Sequence, residues 1–398
     1  METGGTVGRS RRVARAAGAV VACAAVTLSA PVASAGVHRA HAVAGHAITA
    51  KQLVPRRFVR IPRTHDLWAV GFTGLAAYDG QTLALLYNGR SWVRTATPSP
   101  GGTDCAVNDV SATALNDAWA VGGCGTVGFV LHWNGKRWYA VASRLPATAT
   151  LNGVVALSRT NVWAVGGTDP SPVVQHQTVI MHFNGDKWYR VASPNPNTGG
   201  GTNVLNGIAA ASPTAMWAVG GYLGALRLGD DALVLRFNGK RWYQVAAPSP
   251  GTGGVPQNDL ARVSVDPKGV TAWAVGSTTV SGALDPLVER FTGRRWVTVA
   301  VPGPDYQSLN GVAVPSAQSA WVVGSTVDYK PLILRWNGKA LSKVAAPASP
   351  AGVLAALWDV SYGSAKDVYV AGELFMNTPG TTAQALLSHW NGRAWLRQ

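Results

Sequence analysis

Hydrophobic and polar residues alternate along this chain in short bursts, and the bursts recur. One unit shows the pattern. Asn310-Gly311-Val312-Ala313-Val314, Ala320 to Gly324, Pro331 to Trp336 and Ala340 to Ala345 are four runs of strand length, separated by turn residues. Nothing in the unit has the period of an amphipathic helix. The four runs are named A, B, C and D in chain order.

The unit returns seven times. Trp-Ala-Val-Gly begins at Trp68, Trp119, Trp163, Trp217 and Trp273, and Trp321-Val-Val-Gly and Tyr369-Val-Ala-Gly continue the series. A second motif, aromatic-Asn-Gly-x-x-Trp, follows each: Tyr87 to Trp92, Trp133 to Trp138, Phe183 to Trp188, Phe237 to Trp242 and Trp390 to Trp395. Phe291 to Trp296, with Thr292 for Asn, and Trp336 to Leu341 are its degenerate copies. The spacing of 44 to 56 residues is that of propeller blades. The expected fold is therefore all-β, a seven-bladed β-propeller of four-stranded antiparallel blades. The blades fall at about 57–97, 105–146, 150–196, 204–250, 257–303, 308–350 and 353–398.

Two local expectations come with the motifs. The Gly after Trp-Ala-Val should end strand B. The Asn-Gly between C and D should form a two-residue hairpin with both residues at positive φ. Ile61 precedes Trp68 by seven residues, as Val314 precedes Trp321, so Phe58 to Ile61 is strand A of blade one. The chain ends on a strand D, Ala394 to Gln398. Each blade is then made of consecutive residues, and closure rests on packing between blades one and seven.

The N-terminus changes the picture. Arg9, Arg11, Arg12 and Arg15 precede an apolar run from about Ala16 to Ala30, and Ala33-Ser34-Ala35 has the small-x-small form of a cleavage site. The expectation is a signal peptide over 1–35 cleaved after Ala35, a flexible linker over 36–56, and a secreted, extracellular protein that does not span a membrane. Ser10-Arg11-Arg12 resembles a twin-arginine signal, but Ala14 stands where an apolar residue is usual, so both export routes stay open.

Without residues 1–35, 30 Lys and Arg remain against 18 Asp and Glu. Two cysteines also remain, Cys105 and Cys124. Cys105 lies at the start of strand A of blade two and Cys124 at the end of strand B, its antiparallel neighbour. That juxtaposition and an oxidising destination predict a disulfide. Two free thiols flanking one hairpin is the alternative.

The Gly-Gly after strand B (Gly122-Gly123, Gly166-Gly167, Gly220-Gly221), followed by an aromatic and a Trp around a turn, resembles the kelch repeat. The chain is similar over about 57–398 to the secreted kelch-like, galactose-oxidase-like propellers of high-GC Gram-positive bacteria. The resemblance implies a copper oxidase only where the Cys, Tyr and His ligands are present. No Cys on a channel-facing loop has matching Tyr and His, so neither that activity nor any cofactor is expected.

Candidate chemistry is sparse. Of 16 Trp, only Trp358 lies outside the motif slots; the others are assigned to packing between blades. His132, His182 and His389 occupy one slot in three blades, shared elsewhere with Arg236, Arg290 and Arg335, so they cannot converge on a metal. Strand order puts the A–B and C–D turns on one face, the bottom, and the B–C and D–A loops on the other, the top. The variable top face is the expected binding face. Asn108, Asn152, Asn206 and Asn310 recur early in strand A. They either hydrogen-bond a ligand or cap the local turn. With Trp358, Tyr222, Tyr306, Asp169 and Asp231 they are the candidate ligand-binding residues. Tyr78, Tyr329 and Phe375 are further top-loop aromatics.

Charge divides along the same line. The C–D turns carry a basic rim, above all Lys136, Arg137, Lys240, Arg241, Arg294 and Arg295, while the top loops are mainly acidic. One reading is a copied, solvated turn; the other is contact with an anionic envelope polymer. The expected function is an extracellular binding or scaffolding module for a glycan, an envelope polymer or a protein partner. The rival is a secreted hydrolase or lyase using top-face carboxylates. A monomer is expected, and nucleic acid is not expected as a partner.

Overall fold

The computed structural model describes residues 53–74, 80–168, 176–196, 201–223, 229–252, 257–303, 306–375 and 384–398. They form seven four-stranded sheets, each built from consecutive strands in the order A-B-C-D, with no helix among the described residues. All strand pairs within a sheet are antiparallel. In blade one, A is Leu53–Arg60, B is Leu67–Thr73, C is Gln81–Tyr87 and D is Trp92–Thr95. In blade seven the strands are Leu354–Ser364, Asp367–Phe375, Gln384–Trp390 and Trp395–Arg397. Neither terminus lends a strand to the other blade. Strand A of blade one starts at Leu53, before the expected boundary at 57. Leu53 and Val54 are buried and pair with Thr73 and Phe72.

Strand B does not end at the Gly of Trp-Ala-Val-Gly. It runs on, to Thr73 in blade one and Thr168 in blade three. The Gly has another reason. Every strand A carries a β-bulge against strand B, and the register skips one residue: Arg56, Asn108, Asn152, Asn206, Ala261, Asn310 and Trp358 in blades one to seven. The bulge pushes a strand A carbonyl toward strand B. A Cβ on Gly166 would lie 1.9 Å from the Thr150 oxygen. Gly71, Gly122, Gly220, Gly276, Gly324 and Gly372 face the equivalent oxygens of Val54, Ala106, Val204, Asp259, Ser308 and Ala356. Only glycine lets the two strands pair across the bulge.

Blades pack through the aromatic slots. The strand B Trp of one blade meets the strand C aromatic and the strand D Trp of the next. Trp68 lies 5.0 Å from both Trp133 and Trp138, and Trp119 lies 4.9 Å from Phe183 and 5.6 Å from Trp188. Trp163 meets Phe237 and Trp242, and Trp217 meets Phe291 and Trp296, in the same way. Edge-to-face pairs of this kind contribute about 0.5–1.5 kcal/mol each beyond the area they bury. The opposite face of the same ring is covered by the blade's own strand C. His132 stacks on Trp119 at 4.0 Å and His182 on Trp163 at 3.9 Å, while Arg236 and Arg335 lie over Trp217 and Trp321. The shared His/Arg slot is a lid on the framework Trp.

The C–D turns differ from expectation in one detail. Gly89, Gly135, Gly185, Gly239, Gly293, Gly338 and Gly392 have positive φ, but the preceding Asn residues do not. Asn is the flank of the turn, and its side chain organises it. Asn134 Oδ1 accepts the amides of Lys136 and Arg137, and Asn238 Oδ1 those of Lys240 and Arg241.

One core slot breaks the pattern in two blades, with Ser388 in blade seven and a carboxylate in blade five. Leu131, Leu235 and Leu334 fill a fully buried strand C slot in blades two, four and six; blade five has Glu289 there. Both Glu289 carboxyl oxygens are buried without a hydrogen-bond partner, and burial pushes the group from its ordinary 4.5 up to about 8. Between those values the unfolded chain has released a proton that the folded chain keeps, so stability falls as pH rises, by up to about 1.4 kcal/mol per pH unit.

Gly166→Ala should cost several times more stability than Gly123→Ala, whose Cβ meets only a Thr150 methyl at 3.1 Å. Equal thermal melting points for the two variants would refute the bulge explanation. Glu289→Leu should flatten the loss of stability between about pH 5 and about pH 8 seen in urea melts of the parent. Parallel pH profiles would show that the carboxyl is not held neutral.

Candidate binding site

The inner ring of the propeller is made by the seven bulges. At four of them the bulged residue is Asn, and its amide reaches the neighbouring blade. Asn108 Nδ2 donates to Leu151 O at 2.9 Å, Asn152 to Leu205 O at 3.0 Å, Asn206 to Leu260 O at 3.1 Å and Asn310 to Leu357 O at 2.9 Å. The Asn side chains thus clip one strand A to the next, rather than capping their own turns. They are half-buried in the channel wall.

The residue after each bulge is Arg57, Asp109, Gly153, Gly207, Arg262, Gly311 or Asp359. The glycines are needed for room: a Cβ on Gly207 would meet Arg262 Cα at 3.2 Å, and one on Gly311 would meet Asp359 Cα at 2.7 Å. The four charged residues close the channel. Arg262 crosses from blade five to blade two, where its Nη2 lies 3.3 Å from Asp109 Oδ1. On the way its guanidinium donates to the carbonyls of Asn108 and Asn206, at 3.3 and 3.2 Å. Asp109 Oδ2 accepts the Val154 amide of blade three at 2.9 Å. Burial pushes the Asp109 carboxyl up, to about 7, against the pull of Arg57 and that amide.

Ring closure uses the same parts. Asp359 Oδ2 accepts the Phe58 amide at 2.9 Å, and Arg57 Nη1 donates to Trp358 O at 3.0 Å. Burial pushes Asp359 up to about 6. Trp358 stands where other blades have the Asn clip, and the Arg56 guanidinium lies 5.1 Å from its ring centre. Below, Arg60 of blade one bonds Asp367 of blade seven, which also accepts from His389 at 2.9 Å. These residues line a pocket between the two blades, together with His65, Tyr87 and Tyr369.

The top face carries an acidic corner at blades four and five. Asp259 Oδ1 accepts Asn206 Nδ2 at 2.8 Å. Burial, and then Asp230, push Asp259 up to about 6; burial and Asp231 raise Asp230 as well. Tyr222 pairs with Asp231 across strands B and C and packs half-buried against the blade three–four core. Tyr329 meets Phe375 edge to face at 5.4 Å. Asp169, Tyr78 and residues 1–52 lie outside the described residues, and Tyr306 is described only as backbone.

Cys105 and Cys124 are bonded, and their Cα atoms are 4.0 Å apart. This is closer than the 4.4–6.8 Å expected for a disulfide, because the two residues are directly opposite in the A–B register. The basic residues Lys136, Arg137, Lys240, Arg241, Arg294 and Arg295 are all exposed at C–D turns, on the face opposite the disulfide. Among the described residues, no three His, Cys, Asp or Glu side chains gather so as to hold a metal ion, and no helix is long and apolar enough to cross a membrane.

The sequence candidates are therefore partly brought together and partly separated. The Asn set lines one ring, with Trp358 in the same ring. Tyr222 and Asp231 share an edge above it. Arg57, Asp109, Arg262, Asp359 and Asp259 were missed. For the first four the signal was present in the slot after the bulge, where three copies have Gly and four have a charge; Asp259 lies before the bulge of blade five and had no such signal.

The fold and this ring define a seven-bladed β-propeller with a plugged channel. No protein-family model matches the chain, and no curated protein matches it in sequence. Solved structures match it in shape. An ulvan lyase bound to a GlcA-Rha3S oligosaccharide matches with TM-score 0.61 and 11% identity, over 87% of this chain and 96% of that one. YCF48 bound to D1 peptide matches with TM-score 0.51 and 13% identity, over 84% and 94%. A xyloglucanase from Xanthomonas campestris matches with TM-score 0.54 and 12% identity, over 85% and 55%. At these identities the likeness is one of fold.

Arg262→Ala leaves Asp109 buried without its cross-channel partner and should cost about 3–5 kcal/mol in denaturant unfolding. Adding Asp109→Asn should recover part of that loss. A single variant as stable as the parent would mean that the cross-channel pair does not hold the ring.

Proposed function

We propose that this chain is an extracellular binding or scaffolding propeller whose partner, a glycan, an envelope polymer or a protein, docks on the top face. It is exported by a signal peptide cleaved after Ala35, acts as a monomer, and belongs with the secreted kelch-like, galactose-oxidase-like propellers. One observation carries the reading. Asp109 and Asp359, the carboxylates at the channel centre, are both committed to holding blades together. The top face therefore presents a fixed floor with half-buried aromatics around it, Tyr222, Tyr329 and Trp358 among them. Such a surface binds by stacking and hydrogen bonding without reorganising. The Cys105–Cys124 bridge supports an oxidising destination.

The second reading, a carbohydrate-active hydrolase or lyase, has its own support. Asp259 holds a proton up to about pH 6 beside Asp230. A carboxyl of raised pKa next to a second carboxyl is what a general acid requires. Propellers of this shape serve both ends, as the peptide-bound YCF48 and the ulvan lyase illustrate, so the fold does not choose.

A glycan and cell-wall array, followed by product analysis on every positive spot, separates them. Binding without release of fragments is expected, weakened about tenfold, or ~1.4 kcal/mol, by Tyr329→Ala. New reducing ends or unsaturated sugars that vanish with Asp259→Asn would replace the binding reading with the enzymatic one.

A further inference from the structure

The bottom face, made of the A–B and C–D turns, is charged in a way that the turn sequences alone do not reveal. Three of its acids are consumed, while Asp186, in the blade-three C–D turn, stays exposed. Asp117 is 1% exposed and accepts from His132 Nε2 at 2.7 Å and from Thr113. Asp266 is equally buried and accepts the amides of Lys268 and Thr271. Asp367 is held between Arg60 and His389, and these partners keep its carboxyl below the usual carboxylate range. The cations remain outside. Arg63, Arg159, Lys268 and Lys366, on A–B turns, are exposed alongside the C–D cations.

The C–D cations are also mounted rather than loose. In blades two and four the Asn Oδ1 that accepts two successive amides fixes the backbone from which Lys136, Arg137, Lys240 and Arg241 project. In blade five Thr292 takes the Asn position, and its hydroxyl bonds Arg295 O at 3.0 Å, with Arg294 and Arg295 at the apex. Positive charge is thus spaced around a rigid ring, with Asp117 and Asp266 buried beneath it, Asp367 paired, and Asp186 the exposed carboxylate among the C–D turns. A single small anion would meet one turn only. A flexible chain with an anion on every unit can meet several turns at once, releasing counterions at each.

We infer that the bottom face is a docking surface for a linear polyanion, a polymer carrying a phosphate or carboxylate on each repeating unit, held by the turn cations of several blades at once. The inference deepens the binding reading above by naming one partner class, but it uses the face opposite the aromatic one. It commits to ionic, multi-turn contact and to no particular sugar.

The test is retention of the full chain on immobilised polyphosphate and on polygalacturonate, with neutral dextran as control. Both polyanions should retain it and dextran should not, and the affinity should fall linearly in log-log terms with salt. The six-fold variant Lys136→Glu, Arg137→Glu, Lys240→Glu, Arg241→Glu, Arg294→Glu, Arg295→Glu should lose polyanion retention. A neutralised set, the same residues to Gln, should reduce the salt slope by up to about 0.7 per contact removed. Melting curves matching the parent establish that both variants fold, and the Gln set stands in where the Glu set does not. Retention on one polyanion alone identifies whether phosphate or carboxylate is the source. Unchanged retention of the Gln set, or a parent that ignores both polymers, overturns the inference. Array binding to neutral glycans that survives in the Gln set leaves the top-face reading standing in either case.

Discussion

The structure depends on one steric fact, repeated seven times: a bulge in the innermost strand that only a glycine can face. The bulge drives a strand A carbonyl into the space where strand B would carry a Cβ. Its cost is a glycine in mid-strand, which weakens a strand by about 0.5–1 kcal/mol relative to Ala. Its return is geometric. The extra residue turns a side chain out of the ladder and toward the next blade, which is how Asn108, Asn152, Asn206 and Asn310 come to bond a neighbour's carbonyl. Without the bulge these residues would alternate in and out of the sheet like any others, and the inner ring would have no clip.

In blades one, five and seven, which lack the clip, the residue after the bulge is charged, as Asp109 is in blade two beside its clip. Blade five has Ala261 at the bulge and blade seven has Trp358, and the residue that follows is Arg262 or Asp359. Arg262 reaches across to Asp109, and Asp359 receives the Phe58 amide at the junction of first and last blades. Buried ion pairs are weak sources of stability, because desolvation offsets most of the attraction. Their geometry is demanding, however, and a ring of seven similar blades needs something that fixes which blade meets which. The junction of blades one and seven adds contacts of its own, Arg57 with Trp358 O, Arg56 over the Trp358 ring and Arg60 with Asp367.

Much of this was legible in the sequence, but for reasons that differ by residue. Aligning Ile61 with Val314 located the end of strand A of blade one, Phe58 to Arg60, but missed its start at Leu53 and placed Ile61 within it, where the strand has ended. Cys105 and Cys124 were readable as a pair because they bracket one hairpin. The Trp-Ala-Val-Gly glycine was found but misread as a strand end, since a sequence shows that a side chain is absent and not what fills the space. The Asn series was seen as a periodic feature, yet its partners lie one blade away, 43 to 54 residues on in the chain. Arg262 was invisible for a related reason: its partner Asp109 is 153 residues distant, and neither belongs to the repeated motif. Glu289 hid in a Leu slot. Repetition exposes what all blades share and obscures the single exceptions, and here the exceptions hold the channel closed.

This division bears on where function can reside. Trp, Gly and Asn at the repeated slots are spent on pairing, packing and clipping, so changing them costs the fold before it changes binding. The slot after the bulge is spent as well, by the plug. Outside those slots lie the exposed apices of the C–D turns, such as Lys136, Arg137, Lys240 and Arg241, while the D–A loops still send Leu145, Val299, Val301 and Val353 against the core. The two regions are separated by the height of a blade and carry opposite charge, so a partner on one need not compete with a partner on the other. A rigid disk with two separate faces leaves room for contacts on one that do not disturb contacts on the other.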